Sequence, residues 1–474
     1  MSGVPTLAGG WPWLGHVVAF RRDPVALLER GRARHGGIFC FRLCGKTVYA
    51  LLSPRGNQAF FRAPDDQLSA REAYRFTVPI FGEQVAYAVS PQLMDEQLRL
   101  LHSALRDDAM QSYAAYMTEE VERFAERLGS AGEIDLLAAM NELTVFIAGR
   151  CLIGQDFRNR ISAEFAALYR ELEGGINLIA FMAPRFPSPA NLRRNRARRR
   201  VAALMAALIA ERRRTPVTED DFLGVLIAAR YQDGTALSDD AITGLLLTTL
   251  FAGQHTSAVM ATWLGVTLLQ HPEALGEVRR EAARAIGDEP PRLSALKQLQ
   301  RLEHCLKESE RLHPPLVMLM RTVRRAFTVD GVTMPAGSLA LVSPAVCHRL
   351  PEVFAEPERF DSDRFAPPRE EDRATPFSLI GFGGGRHHCI GLAFAHQQIK
   401  IIWTLLLRHF DFALIDQEPQ PDYTTFVVGP QAPCRLRYRR RVAAPDEVAG
   451  ERIGSVMPTD AVPRCAATPA ARDR

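Results

Sequence analysis

Residues 382–391 read Phe382-Gly383-Gly384-Gly385-Arg386-His387-His388-Cys389-Ile390-Gly391. Consecutive glycines reach positive φ and let backbone pass close to a flat ligand, because no Cβ intervenes. The run from Gly391 to Ile402 has helical character, so Cys389 sits just ahead of a helix N-terminus. Backbone N–H groups there point at the sulfur and favour its thiolate, the form that ligates metals. For the cysteine taken alone, an ordinary buried thiol beside a turn is the alternative.

The surrounding chain has 474 residues, 47% hydrophobic and 24% charged, with a formal net charge of +4. That is the composition of a globular protein with a sizeable core. The charge is too small to argue for nucleic acid, and no zinc-finger or RNP-like spacing occurs. The eight cysteines show no disulfide spacing, which points to a reducing cytosol. Cys40 and Cys44 read as two buried thiols near a hairpin, with pairing or metal binding as the alternative. The N-terminus lacks a charged segment followed by an apolar one, and no apolar run is long enough to span a bilayer. No transmembrane anchor is expected.

Residues 5–22 read as an entry loop. Asp23-Pro24 is an N-cap and N1 pair opening a helix to about Arg34. Residues 38–43 and 47–52 are β-rich around Gly45, a hairpin. Residues 73–90 are aromatic and broken by Pro79 and Gly82, either core filling under a loop or one wall of an apolar pocket. From 92 to 230 the periodicity is helical, broken at Gly174-Gly175 and at 184–189. The arginines between 193 and 200 read as a solvated helix face, with a membrane-surface contact as the alternative. Ser238 caps the longest helix, which runs to about Gln270. Its centre, Phe251-Ala252-Gly253-Gln254-His255-Thr256-Ser257, breaks helix rules with Gly and polar residues, as functional sites do. Short strands are expected over 316–342, 423–428 and 434–439. Residues 1–440 read as one domain, and 441–474 as a disordered tail.

The cysteine segment, with its Phe-x-x-Gly-x-His-x-Cys-x-Gly pattern, resembles the haem-binding loop of the cytochrome P450 superfamily. Glu308-Ser309-Glu310-Arg311 resembles that superfamily's Glu-x-x-Arg pair, and Ala252-Gly253-Gln254-His255-Thr256 its oxygen-binding segment. Two arginines, in Pro357-Glu358-Arg359-Phe360 and Ser362-Asp363-Arg364-Phe365, compete as the pair's partner; the spacing from Phe354 selects Arg364. Gly-Gln-His-Thr-Ser in the long helix and Tyr74-x-Phe76-x-x-Pro79-x-Phe81-Gly82 upstream are closest to the sterol 14α-demethylases. So are Arg311-Leu312-His313-Pro314-Pro315 and Arg321.

The resemblance, covering roughly 5–440, implies a mainly α fold with small β-sheets. Haem b lies buried between the long central helix and the Cys-ligand loop. It implies Cys389 as axial iron ligand, Phe382 against the haem, and Tyr74, Arg321 and His387 on the propionates, with His102 a weaker candidate. Thr256 and His255 serve oxygen activation and proton delivery. Phe76, Phe81, Phe251, Ala252, Leu316, Met318 and Phe426 line the substrate pocket, and Glu308, Arg311 and Arg364 form a buried structural triad. The implied activity is O2-dependent monooxygenation of an apolar sterol-type molecule by a cytoplasmic, bacterial-type monomer. Electrons come from NAD(P)H through a ferredoxin reductase and ferredoxin or a similar partner. A fatty-acid or secondary-metabolite hydroxylase is the enzymatic alternative; a haem-binding sensor without turnover is the non-enzymatic one. Two departures stand out: Gly381 where the family often has Pro, and His388 where it has Arg beside the cysteine on the redox-partner face.

Overall fold

The computed structural model describes residues 4–441 apart from 104, 161–162, 177–179, 182, 216–220 and 417. Apart from Arg441, the expected C-terminal tail lies outside the described residues. Residues up to Arg440 form one compact unit.

The helices that position the site are α1 (Val17–Arg22), α2 (Pro24–His35), α3 (Pro54–Arg62), α4 (Pro91–Ser103), α5 (Asp107–Leu128), α6 (Leu136–Leu152), α7 (Ala163–Glu173), α8 (Pro189–Arg214), α9 (Asp239–Gln270), α10 (Gln300–Leu312) and α11 (Leu392–His409). Asp23 accepts from Ala26 N–H at the start of α2, and Ser238 accepts from Ala241 N–H at the start of α9. Each cap satisfies a donor that the first helical turn leaves orphaned. Helix α9 has 32 residues, about 48 Å at 1.5 Å per residue, and is continuous through Gly253. Its flanks pack on α5, α6 and α11 on one side, around Trp263 and Trp403, and on α7 and α8 towards its N-terminal half. A Cβ on Gly265 would stand 2.0 Å from the Trp403 ring, so this glycine sets how closely α9 and α11 approach.

Strands β1 (Ile38–Leu43) and β2 (Lys46–Leu51) form the expected hairpin. With β3 (Leu68–Ser69), β5 (Leu319–Val323) and β8 (Leu339–Val342) they make a sheet ordered β1-β2-β8-β5-β3, parallel only between β2 and β8. A second sheet, β4-β10-β9, joins Ala131–Asp135, Arg435–Arg440 and Phe410–Leu414. Residues Phe327–Val329 and Val332–Met334, β6 and β7, form a small hairpin.

Three expectations are corrected. Residues 423–428 are not a strand. The Asp422 carboxylate accepts from both the N–H and the hydroxyl of Thr424, and this turn overrides the β propensity of Thr, Phe and Val. The entry loop contains the short helix α1. The arginine run is not uniformly solvated: Arg194 is fully buried on Asn191, Asn195 and the Pro184 carbonyl, and Arg198 bridges to Asp240 at 2.8 Å. Positions 194 and 198 share the inward face of α8.

Candidate active site

The cysteine loop is closed by the Cys389 N–H donating to the Phe382 carbonyl at 2.8 Å. Gly383 and Gly385 take φ of +75° and +57°. A Cβ on Gly383 would lie 2.6 Å from the His387 carbonyl oxygen, and one on Gly384 2.8 Å from the Phe377 ring. The loop thus packs flat against Phe377 and against Phe61 of α3, whose rings stack 6.2 Å apart. Cys389 is exposed, but protein surrounds most of its thiol. That enclosure raises its pKa. The N–H groups of Gly391 and Leu392 point at the sulfur and pull the pKa down, while Glu310 pushes it up. The donors foreseen at the helix start are present, but burial outweighs them; a thiolate here needs the positive charge of a metal.

In α9 the buried pattern opens at one place. Ala252 is exposed, and a Cβ on Gly253 would meet nothing within 4 Å. Thr256 donates its hydroxyl to the Ala252 carbonyl. His255 pairs through Nε2 with Glu173 at the end of α7, and its ring stacks on Tyr169. Both partners are about a quarter exposed, at 28% and 26%.

Behind the cysteine loop, Arg321 of β5 is 3% exposed. It donates to the Phe60 carbonyl at 2.7 Å and lies over the Phe60 ring, but forms no ion pair among the described residues. Burial lowers its pKa to about 10, although Asp65 works the other way. The Tyr74 hydroxyl accepts from Met320 N–H at 3.3 Å, and its ring stacks on Tyr87. His387 Nε2 stands 3.2 Å from Asp65 Oδ1, but both atoms are buried without an aligned hydrogen bond. Burial, then Arg321, lowers the His387 pKa to about 4. Tyr74, Arg321 and His387 therefore converge. His102 is exposed near the end of α4.

The aromatic segment packs inward, with Phe76, Phe81 and Phe251 all buried. Phe76 meets Phe181 at 5.7 Å and Phe426 at 6.4 Å; Phe81 meets Phe251 of α9 edge-on at 5.5 Å. Leu316 and Met318 are half-buried just before β5. A cleft of about 700 Å³ opens beside this segment, bordered by Asp65, Arg75, Tyr87, Arg185, Phe186 and His387 and by none of the seven residues expected to line the substrate pocket.

On the other side of the loop, Glu308 and Arg311 of α10 form a bidentate pair at 2.7 and 2.9 Å. Arg364 Nε joins Glu308 at 3.1 Å. All three are at most 1% exposed, whereas Arg359 pairs with Glu356 in solvent.

The cytochrome P450 family model matches residues 5–436. The chain belongs to the cytochrome P450 family. It is 40% identical over 446 residues to the sterol 14alpha-demethylase of Mycobacterium tuberculosis, covering 92% of this chain and 98% of that protein. It is 37% identical to the sterol 14-demethylase of Arabidopsis thaliana, covering 92% and 91%, and 35% identical to the lanosterol 14-alpha demethylase of Bos taurus, covering 92% and 88%. The solved structure of "Retinoic acid bound cyanobacterial CYP120A1" aligns with a TM-score of 0.83 at 24% identity, over 93% of this chain and all of that one, a likeness of fold.

This P450 is a monooxygenase whose cofactor is haem iron, with electrons supplied from NAD(P)H by a redox partner and an apolar substrate. The residues present fit that cofactor. An exposed cysteine, a helix face with open space at Gly253, and a buried guanidinium without an ion pair among the described residues suit a porphyrin with two carboxylates. Among the described residues no helix is long and apolar enough to cross a membrane. Three site neighbours escaped the sequence reading. Asp65, Glu173 and Phe181 lie in no motif; the Gly174-Gly175 break marks where the helix of Glu173 ends but not that it ends at the site.

Proposed function

We propose that this P450 oxidatively removes the 14α-methyl group of a sterol, and that Cys389 ligates its haem iron. The observation that carries the substrate reading is the edge-on contact of Phe81 with Phe251. It joins the two sequence segments that resemble sterol 14α-demethylases into one apolar wall. The relatives named above, similar along nearly the full chain, support it.

In this reading Cys389 donates its thiolate, Phe382 packs beside it, and Arg321, Tyr74 and His387 hold the propionates. His102, at the surface, is the weaker fourth donor. The haem supplies the one-electron and O–O cleaving chemistry. Phe76, Phe81, Phe251, Ala252, Leu316, Met318 and Phe426 exclude water and orient the sterol. Glu173, partly exposed, passes a proton to His255 and on towards the Thr256 hydroxyl, which gives up its bond to the Ala252 carbonyl to receive it. Glu308, Arg311 and Arg364 hold the loop in place. A ferredoxin fed by its reductase delivers electrons to the face bearing the exposed His388. The enzyme works as a monomer in the cytoplasm, consistent with seven free cysteines among the described residues.

Titration of the purified holoprotein with a 14α-methylsterol and, separately, a long-chain fatty acid tests the substrate. The sterol is expected to shift the Soret band and, with redox partners, to yield formate and the demethylated sterol. A shift and product with the fatty acid alone would overturn the reading.

A further inference from the structure

Seven large apolar side chains are exposed among the described residues, and four fall within eight positions: Trp11 at 67%, Trp13 at 95%, Leu14 at 48% and Val18 at 58%. They are not on a loose end. Trp11 and Gly15 exchange both backbone hydrogen bonds at 2.8 Å, the Cys44 N–H donates to the Leu14 carbonyl, and the His16 N–H donates to the Arg42 carbonyl. A Cβ on Gly15 would lie 2.2 Å from that Arg42 oxygen, so the loop is clamped onto the β1–β2 hairpin. Trp13 is held at φ +64°, a conformation bulky residues avoid. The fold therefore presents this indole to solvent on a rigid loop rather than leaving it there by default.

The exposed charged residues of this segment and of the hairpin turn bonded to it are basic. Arg21 and Arg22 follow Val18 by three and four residues and share its face of α1. Arg42 and Lys46 flank the hairpin turn bonded to Leu14. All four are exposed, and none forms an ion pair among the described residues. No acid occurs from residue 1 to 22, and Asp23, the first, is engaged as the cap of α2.

We infer that the clamped Trp11–Leu14 loop, with Val18, Arg21, Arg22, Arg42 and Lys46, is a docking surface for an anionic lipid bilayer. Indole rings favour the water–lipid boundary, where the apolar ring and the N–H are both satisfied. Neighbouring cations add attraction to anionic headgroups. A second copy fits poorly, because two such patches face to face would oppose like charges. The inference is independent of the substrate reading.

The test is flotation of the holoprotein with phosphatidylcholine vesicles, with and without phosphatidylserine. Binding to the anionic vesicles, weakening with salt, is expected, along with a blue shift of tryptophan emission. The chain has four tryptophans, and Trp263 and Trp403 are buried at 2% and 0%, so the shift reports Trp11 and Trp13. A Trp11→Ser/Trp13→Ser variant should lose most of the binding. Arg21→Gln and Arg22→Gln should each lower partitioning about fivefold. An unchanged haem spectrum certifies that each variant is folded. Equal binding to neutral and anionic vesicles, full binding by the double tryptophan variant, or concentration-dependent dimerisation abolished by that variant would overturn the inference.

Discussion

Replacing Glu308 with Gln keeps the shape of the side chain and removes its charge. In the native protein that carboxylate accepts from Arg311 at 2.7 and 2.9 Å, from Arg364 at 3.1 Å and from the Asp361 N–H at 2.9 Å, with no solvent exposure. The variant leaves two buried guanidiniums facing an amide. Arg364 retains Glu371 at 3.2 Å, whereas Arg311 retains backbone carbonyls and the Phe354 ring but no carboxylate. Breaking a buried ion network in this way costs about 3–5 kcal/mol. With an unfolding entropy of about 2.1 cal/mol/K per residue, a chain folding roughly 430 residues has about 0.9 kcal/mol/K, so Tm falls by about 3–6 °C. Arg359→Ala is the control. Its exposed pair with Glu356 contributes at most about 1 kcal/mol. Its carbonyl, which accepts from Arg311 and Arg364, survives the substitution. Thermal unfolding of the two holoproteins side by side, with haem retention followed by absorbance, makes the measurement. Equal Tm values, or a larger loss in Arg359→Ala, would refute the assignment of Arg364 to the triad.

Glu173→Gln and His255→Ala should each slow turnover about a hundredfold, with a raised solvent isotope effect and unchanged substrate-induced Soret shift; unaltered turnover in both would remove the proton path. Gly381→Ala should destabilise the protein by about 1–3 kcal/mol, because its Cβ would lie 2.1 Å from Glu310 Oε1, and the Gly381→Ala/Glu310→Ala double variant should recover most of that loss by thermal unfolding. Burial raises the Glu310 pKa from 4.5 to about 8, so between those values the native state keeps a proton that the unfolded chain loses. Stability is therefore drained as pH rises from about 4.5 to 8, and Glu310→Gln should exceed the wild type at pH 8 by a few kcal/mol and match it near pH 5; parallel pH profiles would contradict this.

What was legible in the sequence is local chemistry. Asp23 and Ser238 announce their helices because a side-chain oxygen beside an amphipathic run has one good use. The spacing of Glu308 and Arg311 places both on one helix face, and spacing from Phe354, rather than letter similarity, selected Arg364 over Arg359. The losses occurred where distant contacts decide. Tyr423 to Val428 carries strand-forming residues, but Asp422 folds it into a turn. Arg194 looks solvated among its neighbours and is buried only because α8 turns that side towards the 184–191 segment. Strand β9 was missed because its partner β10 is what makes it a strand. Asp65 and Glu173 find His387 and His255 across long loops, a pairing that no spacing announces.

The most direct test of the account is the absorption spectrum of the reduced, carbon-monoxide-treated protein, recorded for the wild type and for Cys389→Ser. The wild type should show the red-shifted Soret band of a thiolate-ligated haem, and the variant should lose it although the other seven cysteines remain. A wild type without that band, or a variant that keeps it, would contradict the assignment of Cys389 as the iron ligand.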